Sequence, residues 1–401
     1  MPPRRRRYPQ PVAALRARDR AVVGAALALS LALAGCAGPS QRVTTGSAAP
    51  AYPKPSPTPA RCTNQTVLAG WSTARLAAQL VVVPAPESDV AAAAAAVAQG
   101  AGGVVLFGSA APADLGSQIR AVDAMALGSI RPLVMTDEEG GGVQRIANLV
   151  GSMPWARQMG TMSPAAIQSL AKAVGQRMRA LGVTMDLAPV LDVDGGPGPN
   201  ASNPDGDRSF SASPSQAARD GLAFAAGLLA AGVIPVVKHF PGLGGASGNP
   251  DYGPAATRPY LSLLGSGLLP FQQAVAAGLP AVMVANATVP GLTRGPASLS
   301  SAAIQGLLEG RLQFHGLVMT DSLSAPAITA VGLSVPEAAV RAVLAGADLV
   351  MFSSGQPGPV LTAIEAALAR ALATGEISSA RLIDAADRVL VAKGVNLCGP
   401  G

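Results

Sequence analysis

Aromatic side chains make up only 3% of this 401-residue chain, which contains two histidines and three cysteines. So few rings argue against a stacking surface for single-stranded nucleic acid. The histidine and cysteine counts leave no zinc-type ligand cluster. The fragment Asp192-Val-Asp194-Gly resembles part of a calcium loop but lacks the later acidic ligands. No G-x-S-x-G occurs, and no G-x-G-x-x-G follows the first apolar run. Neither a metal nor a cofactor is therefore expected.

Charge is also sparse, at 13% of residues, and the net +6 is confined to the start of the chain. Residues 1–20 hold seven arginines against Asp19, residues 21–35 carry no charge, and the remainder balances. A basic nucleic-acid footprint is thus absent from the body of the chain.

The basic start leads into 21-AVVGAALALSLALAG-35 and then Cys36. An apolar core of that length falls short of the ~20 residues a spanning helix needs, and its flanks are those of an export signal. Leu33-Ala34-Gly35-Cys36 resembles a bacterial lipobox, which implies lipidation of Cys36 and a membrane-anchored protein facing the cell-envelope space. Residues 1–35 are read as the signal and 36–61 as a Pro/Ser/Ala-rich tether. Residues 62–401 are read as the folded domain, expected to be monomeric. Cys62 and Cys398 sit at its two ends, and export to an oxidising compartment would favour a disulfide between them.

What is abundant is a repeated alternation of short apolar runs with Ala-rich stretches. The runs are 80-LVVVP, 102-GGVVLFG, 132-PLVMTDEEG, 182-GVTMDLAPV, 233-VIPVVKHFP, 281-AVMVANATVP, 316-GLVMTDSLS and 347-ADLVMFSSG. Continuous rather than alternating apolar runs indicate strands buried on both faces. Between them lie helix signals such as Ser334-x-x-Glu337, a capping pattern. Eight such units predict an α/β fold, a single (β/α)8 TIM-type barrel, with a doubly wound open sheet as the structural alternative. The runs end in polar groups: Asp137-Glu138-Glu139, Asp186 and Asp192, Lys238-His239, Asn286, Asp321-Ser322 and Ser353-Ser354. In a barrel these ends share one rim, and a pocket lined by carboxylates and cations suits a polyhydroxylated ligand.

The stretches 136-TDEEGGGVQR-145, 186-DLAPVLDVD-194, 207-DRSF-210, 238-KHFPG-242 and 319-MTDSL-323, in that order, resemble family 3 glycoside hydrolases. The closest likeness is to their single-domain β-N-acetylglucosaminidases, and among these to lipid-anchored actinobacterial members. The resemblance implies a retaining glycosidase that removes terminal β-N-acetylglucosamine from cell-wall-derived glycans or muropeptides. Asp321 would be its nucleophile, with Asp137, Arg145, Arg208, Lys238, His239 and Asn286 around the sugar. Taken alone, Arg208 could equally pair with its neighbour Asp207.

The loop after the fifth run departs from the family pattern. Leu243 replaces a histidine, and Asn249-Pro250-Asp251 stands where the family carries an Asp-Ser-His acid/base dyad. Gly142 stands in place of an arginine, and Asn286 in place of a frequent histidine. Asp251 is then the acid/base candidate. The other outcomes are slow hydrolysis limited to good leaving groups, or an inactive pseudoenzyme that binds aminosugar glycans.

Overall fold

The computed structural model describes residues 62–399, so the expected signal, Cys36 and the tether lie outside the described residues. Residues 60–401 form one compact unit. Eight parallel strands build it: β1 (Val81–Pro86), β2 (Gly103–Phe107), β3 (Leu133–Thr136), β4 (Met185–Asp186), β5 (Ile234–Phe240), β6 (Ala281–Val284), β7 (Leu317–Thr320) and β8 (Val350–Met351). Each coincides with one of the eight apolar runs. They pair in chain order, β8 pairs back onto β1, and a bridge from Met319 to Leu349 closes the ring between β7 and β8. The fold is the expected (β/α)8 barrel rather than an open sheet.

Side-chain alternation explains why the runs are apolar throughout. Val82, Val105, Met135, Met283, Met319 and Met351 point inward and fill the barrel with a methionine-rich core. Their neighbours Val81, Val83, Val104, Val134, Val282 and Val318 point outward into the layer of helices. Burying such a side chain from water contributes roughly 1.5–3 kcal/mol, so both faces of each strand favour the closed barrel.

Local signals set the helix boundaries. Ser163 caps the helix Pro164–Leu181 by accepting a hydrogen bond from the Ala166 amide, and Gly182 ends it at φ 100°. Ser334 and Glu337 form the expected capping box on the helix Val335–Ala345. The last helix, Ser379–Ala392, crosses the N-terminal mouth of the barrel, where Val389 joins the interior cluster. This end also holds the chain termini of the unit. The Asn64 amide donates to the Val395 carbonyl (3.0 Å), Leu397 N donates back to Asn64 Oδ1 (2.8 Å), and a disulfide joins Cys62 to Cys398.

The helices Pro164–Leu181 and Pro214–Ala230 approach closely because glycine faces the contact. A Cβ at Gly227 would lie 2.4 Å from the Gln168 carbonyl oxygen and 2.8 Å from Ala171 Cβ. Gly227→Ala is therefore expected to lower unfolding free energy by about 1–3 kcal/mol through overpacking. Urea denaturation reads this out. An unchanged midpoint would mean the two helices separate at no cost.

Candidate active site

The C-terminal ends of the strands enclose a cavity of about 460 Å³. Seven residues singled out from the sequence meet there: Asp137, Arg145, Arg208, Lys238, His239, Asp251 and Asp321. Apolar side chains from the barrel interior, Leu187, Met283 and Met351, floor it. The site thus consists of charged groups above a hydrophobic base, within the size range of small-ligand pockets.

Glu139 is the hub of the charged wall. Its carboxylate accepts two parallel hydrogen bonds from the Arg208 guanidinium, both 2.8 Å, and lies 2.6 Å from Lys238 Nζ. Lys238 also lies 2.6 Å from Asp137 Oδ1, and Arg145 Nε is 3.6 Å from Asp137 Oδ2. This chain of opposite charges joins the segment after β3, the loop after β4, and the end of β5. Burial alone would push Glu139 toward protonation, but Arg208 and Lys238 hold its pKa far below the usual range. Burial likewise opposes the charge on Lys238, and Asp137 and Glu139 raise its pKa instead. Arg208 pairs with Glu139, not with Asp207. Arg145 Nε is buried and, apart from its ion pair with Asp137, makes no hydrogen bond.

Behind this wall lies a second buried cluster. Asp192 accepts the His239 amide (3.0 Å), His239 Nδ1 (2.7 Å) and the Leu243 amide (2.6 Å). Asp205 is fully buried, and neither of its oxygens meets a donor. Burial, then the neighbouring charge of Asp192, pushes its pKa well up. Burial brings Asp192 to about 6, and burial followed by Arg208 lowers His239 to about 4. At neutral pH His239 is neutral, with Nδ1–H donating to ionised Asp192. His239 Nε2 is then an acceptor, suited to a sugar hydroxyl rather than to proton donation. Ligand atoms of these three residues lie within 4.8 Å of one another, close enough for a cation. The hydrogen bonds Asp192 already accepts make a shared proton the better fit.

Across the cavity stands Asp321, one residue beyond β7, with Oδ1 accepting the Ser322 amide (2.6 Å). Burial raises its pKa, and the carboxylate of Asp251 raises it further, while His239 and Lys238 oppose both. Asp251 is exposed as a residue, yet its carboxyl faces the cavity. Loss of water there raises its pKa first, Arg208 opposes that rise, and Asp137 adds to it. The loop carrying Asp251 is fastened on both sides. Asn249 N donates to the Ala201 carbonyl (3.1 Å), and the Pro250 carbonyl accepts from Ala327 N (3.1 Å) beyond β7. Two carboxylates that favour a single proton therefore face each other over the cavity.

Asn286 is a correction: it does not line the cavity. It is buried, its amide nitrogen donates to the Ser322 carbonyl (2.7 Å), and its oxygen accepts from Ser298 Oγ (2.6 Å). Both polar ends are used to hold the turn after Asp321. The Gly142 position is also explained, since the Trp155 indole lies against Gly141 and Gly142, and a Cβ at Gly142 would be 2.9 Å from that ring. An arginine there would have to displace the indole. Glu139 and Asp192 were named from the sequence only as polar strand ends without a role, and Asp205 and the rim residue Tyr252 were not singled out. Only Glu139 carried a usable signal: two positions beyond Asp137 in an extended segment, it points the same way.

A closed (β/α)8 barrel bearing facing carboxylates beside a cationic wall has the make-up of a carbohydrate-cleaving site. Comparison with known proteins agrees. The family model described as glycosyl hydrolase family 3 N terminal domain matches residues 75–392. Beta-hexosaminidase LpqI of Mycobacterium tuberculosis is 36% identical over 387 residues, spanning 94% of this chain and 98% of that protein. The beta-hexosaminidase of Methylococcus capsulatus is 32% identical over 260 residues, 63% of this chain and 75% of the relative. The solved structure of M. tuberculosis LpqI superposes with a TM-score of 0.76 at 35% identity, covering 84% of this chain and 97% of that one. A beta-N-acetylhexosaminidase from Beutenbergia cavernae gives 0.73 at 32% identity, covering 82% and 100%. The chain belongs to glycosyl hydrolase family 3 and is a glycosidase.

The chain has two histidines, so their titration can be resolved individually. The His239 ring is expected to titrate near pH 4 by NMR, against 6.5 for an unhindered histidine. Because the folded value is depressed, the unfolded chain takes up this proton first. Stability from His239 is therefore complete above pH 6.5 and is lost as the pH falls toward 4. A midpoint near 6.5 would contradict the neutral assignment.

Proposed function

We propose that the protein removes terminal β-linked N-acetylglucosamine, with retention, from cell-wall-derived glycans or muropeptides. The single observation that carries this reading is the pair Asp321 and Asp251 on opposite sides of a cavity whose remaining wall is the Asp137–Lys238–Glu139–Arg208 chain. Relatives named beta-hexosaminidase over nearly the whole chain support the aminosugar.

In the first step Asp321 attacks the anomeric carbon as the bond to the leaving oxygen breaks. Asp251 gives its proton to that oxygen, and the sugar remains esterified to Asp321. In the second step Asp251, now ionised, takes a proton from water as the water attacks the same carbon and Asp321 leaves. Two inversions give net retention. Asp137, Arg145, Lys238 and His239 hold sugar hydroxyls throughout, and charge-assisted hydrogen bonds from such groups are strong and directional. Tyr252, 70% exposed at the cavity mouth beside Asp251, offers an apolar face to the leaving group. We further infer export and lipid attachment at Cys36, which would place this reaction in the cell envelope.

The competing reading is an aminosugar-binding pseudoenzyme, favoured by the missing Asp-x-His in the loop. A fluorinated N-acetylglucosamine analogue with a good leaving group separates the two and is expected to label Asp321 covalently. Micromolar sugar binding without any adduct, and without release of a chromogenic aglycone, would sink the hydrolase reading. Asp251→Asn should slow substrates with poor leaving groups by about 10²–10⁴-fold and activated aryl substrates far less. An equal loss on both kinds of substrate would remove Asp251 from the acid role.

A further inference from the structure

At the opposite end of the barrel a second cavity, of about 780 Å³, opens beneath the starts of β3, β4 and β5. Arg120, Arg131 and Arg179 stand in its wall, all three exposed. Among the described residues, no carboxylate lies within 4.0 Å of any of them. The acids nearby are Asp123, which faces Arg131, and Asp387 in an adjoining hollow. Lys393 also lines the cavity, but its amine is spent on Gln79 Oε1 (2.7 Å).

Large apolar side chains are also exposed at this end of the barrel. Met125, Leu127, Leu229 and Val391 are 49%, 40%, 45% and 66% exposed, and they all lie at this end, on the last turns or exits of helices that return to the bottom of the barrel. They are four of the seven large apolar residues exposed among those described. Arg75 adds a cation 3.6 Å above the Trp71 ring, and its guanidinium reaches Gly128 beside Leu127. The chain also enters the folded unit here, since Asn64 bonds to Val395, a residue of the same cavity wall.

The geometry points to an anionic phospholipid bilayer as the partner of this face, with the catalytic rim directed away from it. Unpaired arginines gain from headgroup phosphates, and the exposed Met, Leu and Val side chains enter the boundary between headgroups and acyl chains. A soluble polyanion would satisfy the arginines but leave the apolar side chains in water. A symmetric contact with a second copy would set the arginines against one another. The inference leans in part on the reading of Cys36 as a lipid anchor, because an anchored chain would deliver this end to the surface first. The arrangement would hold the cavity outward, toward glycans rather than lipid.

Residues 60–401 contain the barrel and its disulfide but lack Cys36, so the test separates the two readings. This fragment is expected to float with vesicles rich in phosphatidylglycerol, not with phosphatidylcholine alone, and to be released by high salt. The combined variant Arg120→Glu, Arg131→Glu, Arg179→Glu should lower partitioning on the order of tenfold or more while its melting midpoint holds. The inference is overturned by absent flotation, by equal flotation on both vesicles, or by a variant that partitions like the parent. A dimer of the fragment that the same variant dissolves would assign the face to a second copy and overturn it too. Acyl transfer to Cys36 is read separately, by labelling the full chain with a fatty acid.

Discussion

Glu139, clamped between Arg208 and Lys238, is the constraint on which the site depends. Three segments that are distant in sequence meet at its two oxygens. Burying these charges is costly, and only close opposite charges with good hydrogen-bond geometry offset the loss of water. Once formed, the arrangement cannot be loosened one residue at a time, because each removal strands a buried charge. It therefore fixes the loop after β4 against the end of β5, and that fixes where a ligand can sit.

The same rigidity divides labour within the cavity. On one wall the cations are saturated by Asp137 and Glu139, so they bind without competing for the carboxylates that face them. Asp321 and Asp251, which line the same cavity, repel each other, which favours one proton between them. His239 stands between the two sets of charges, its pKa lowered by burial, Arg208 and Lys238 and raised by Asp321. Asp192, with Asp205 behind it, holds its ring neutral and oriented, so the one rim histidine is an acceptor. Family 3 loops carry proton transfer on a histidine of their own. On the proposed reading that task would fall to the Asp251 carboxyl, whose pKa burial raises.

The loop itself shows how far a departure from a family pattern can be accommodated. Its entry is fixed by the Leu243 amide on Asp192, and its tip by Pro250 on the segment after β7. Both ties run through backbone atoms and do not depend on the replaced side chains. The loop is therefore anchored by contacts that a change in its side-chain chemistry leaves intact. Gly142 follows the same logic in reverse: the missing side chain is matched by an indole from elsewhere in the chain.

The sequence alone determined the barrel, since eight doubly apolar runs admit few other packings; strand ends put Asp137, Lys238, His239 and Asp321 on one rim, and the family resemblance added Arg145, Arg208 and Asp251. It also carried the capping box on Val335–Ala345 and marked the two cysteines at the ends of the folded unit. Tertiary structure alone decided which charges pair. Arg208 reached Glu139 rather than Asp207, Asn286 turned its amide into the protein, and Asp205 came to lie beside Asp192. These outcomes rest on distances between segments tens of residues apart, and on burial, which sets the pKa of each group. Neither quantity is written in local residue order.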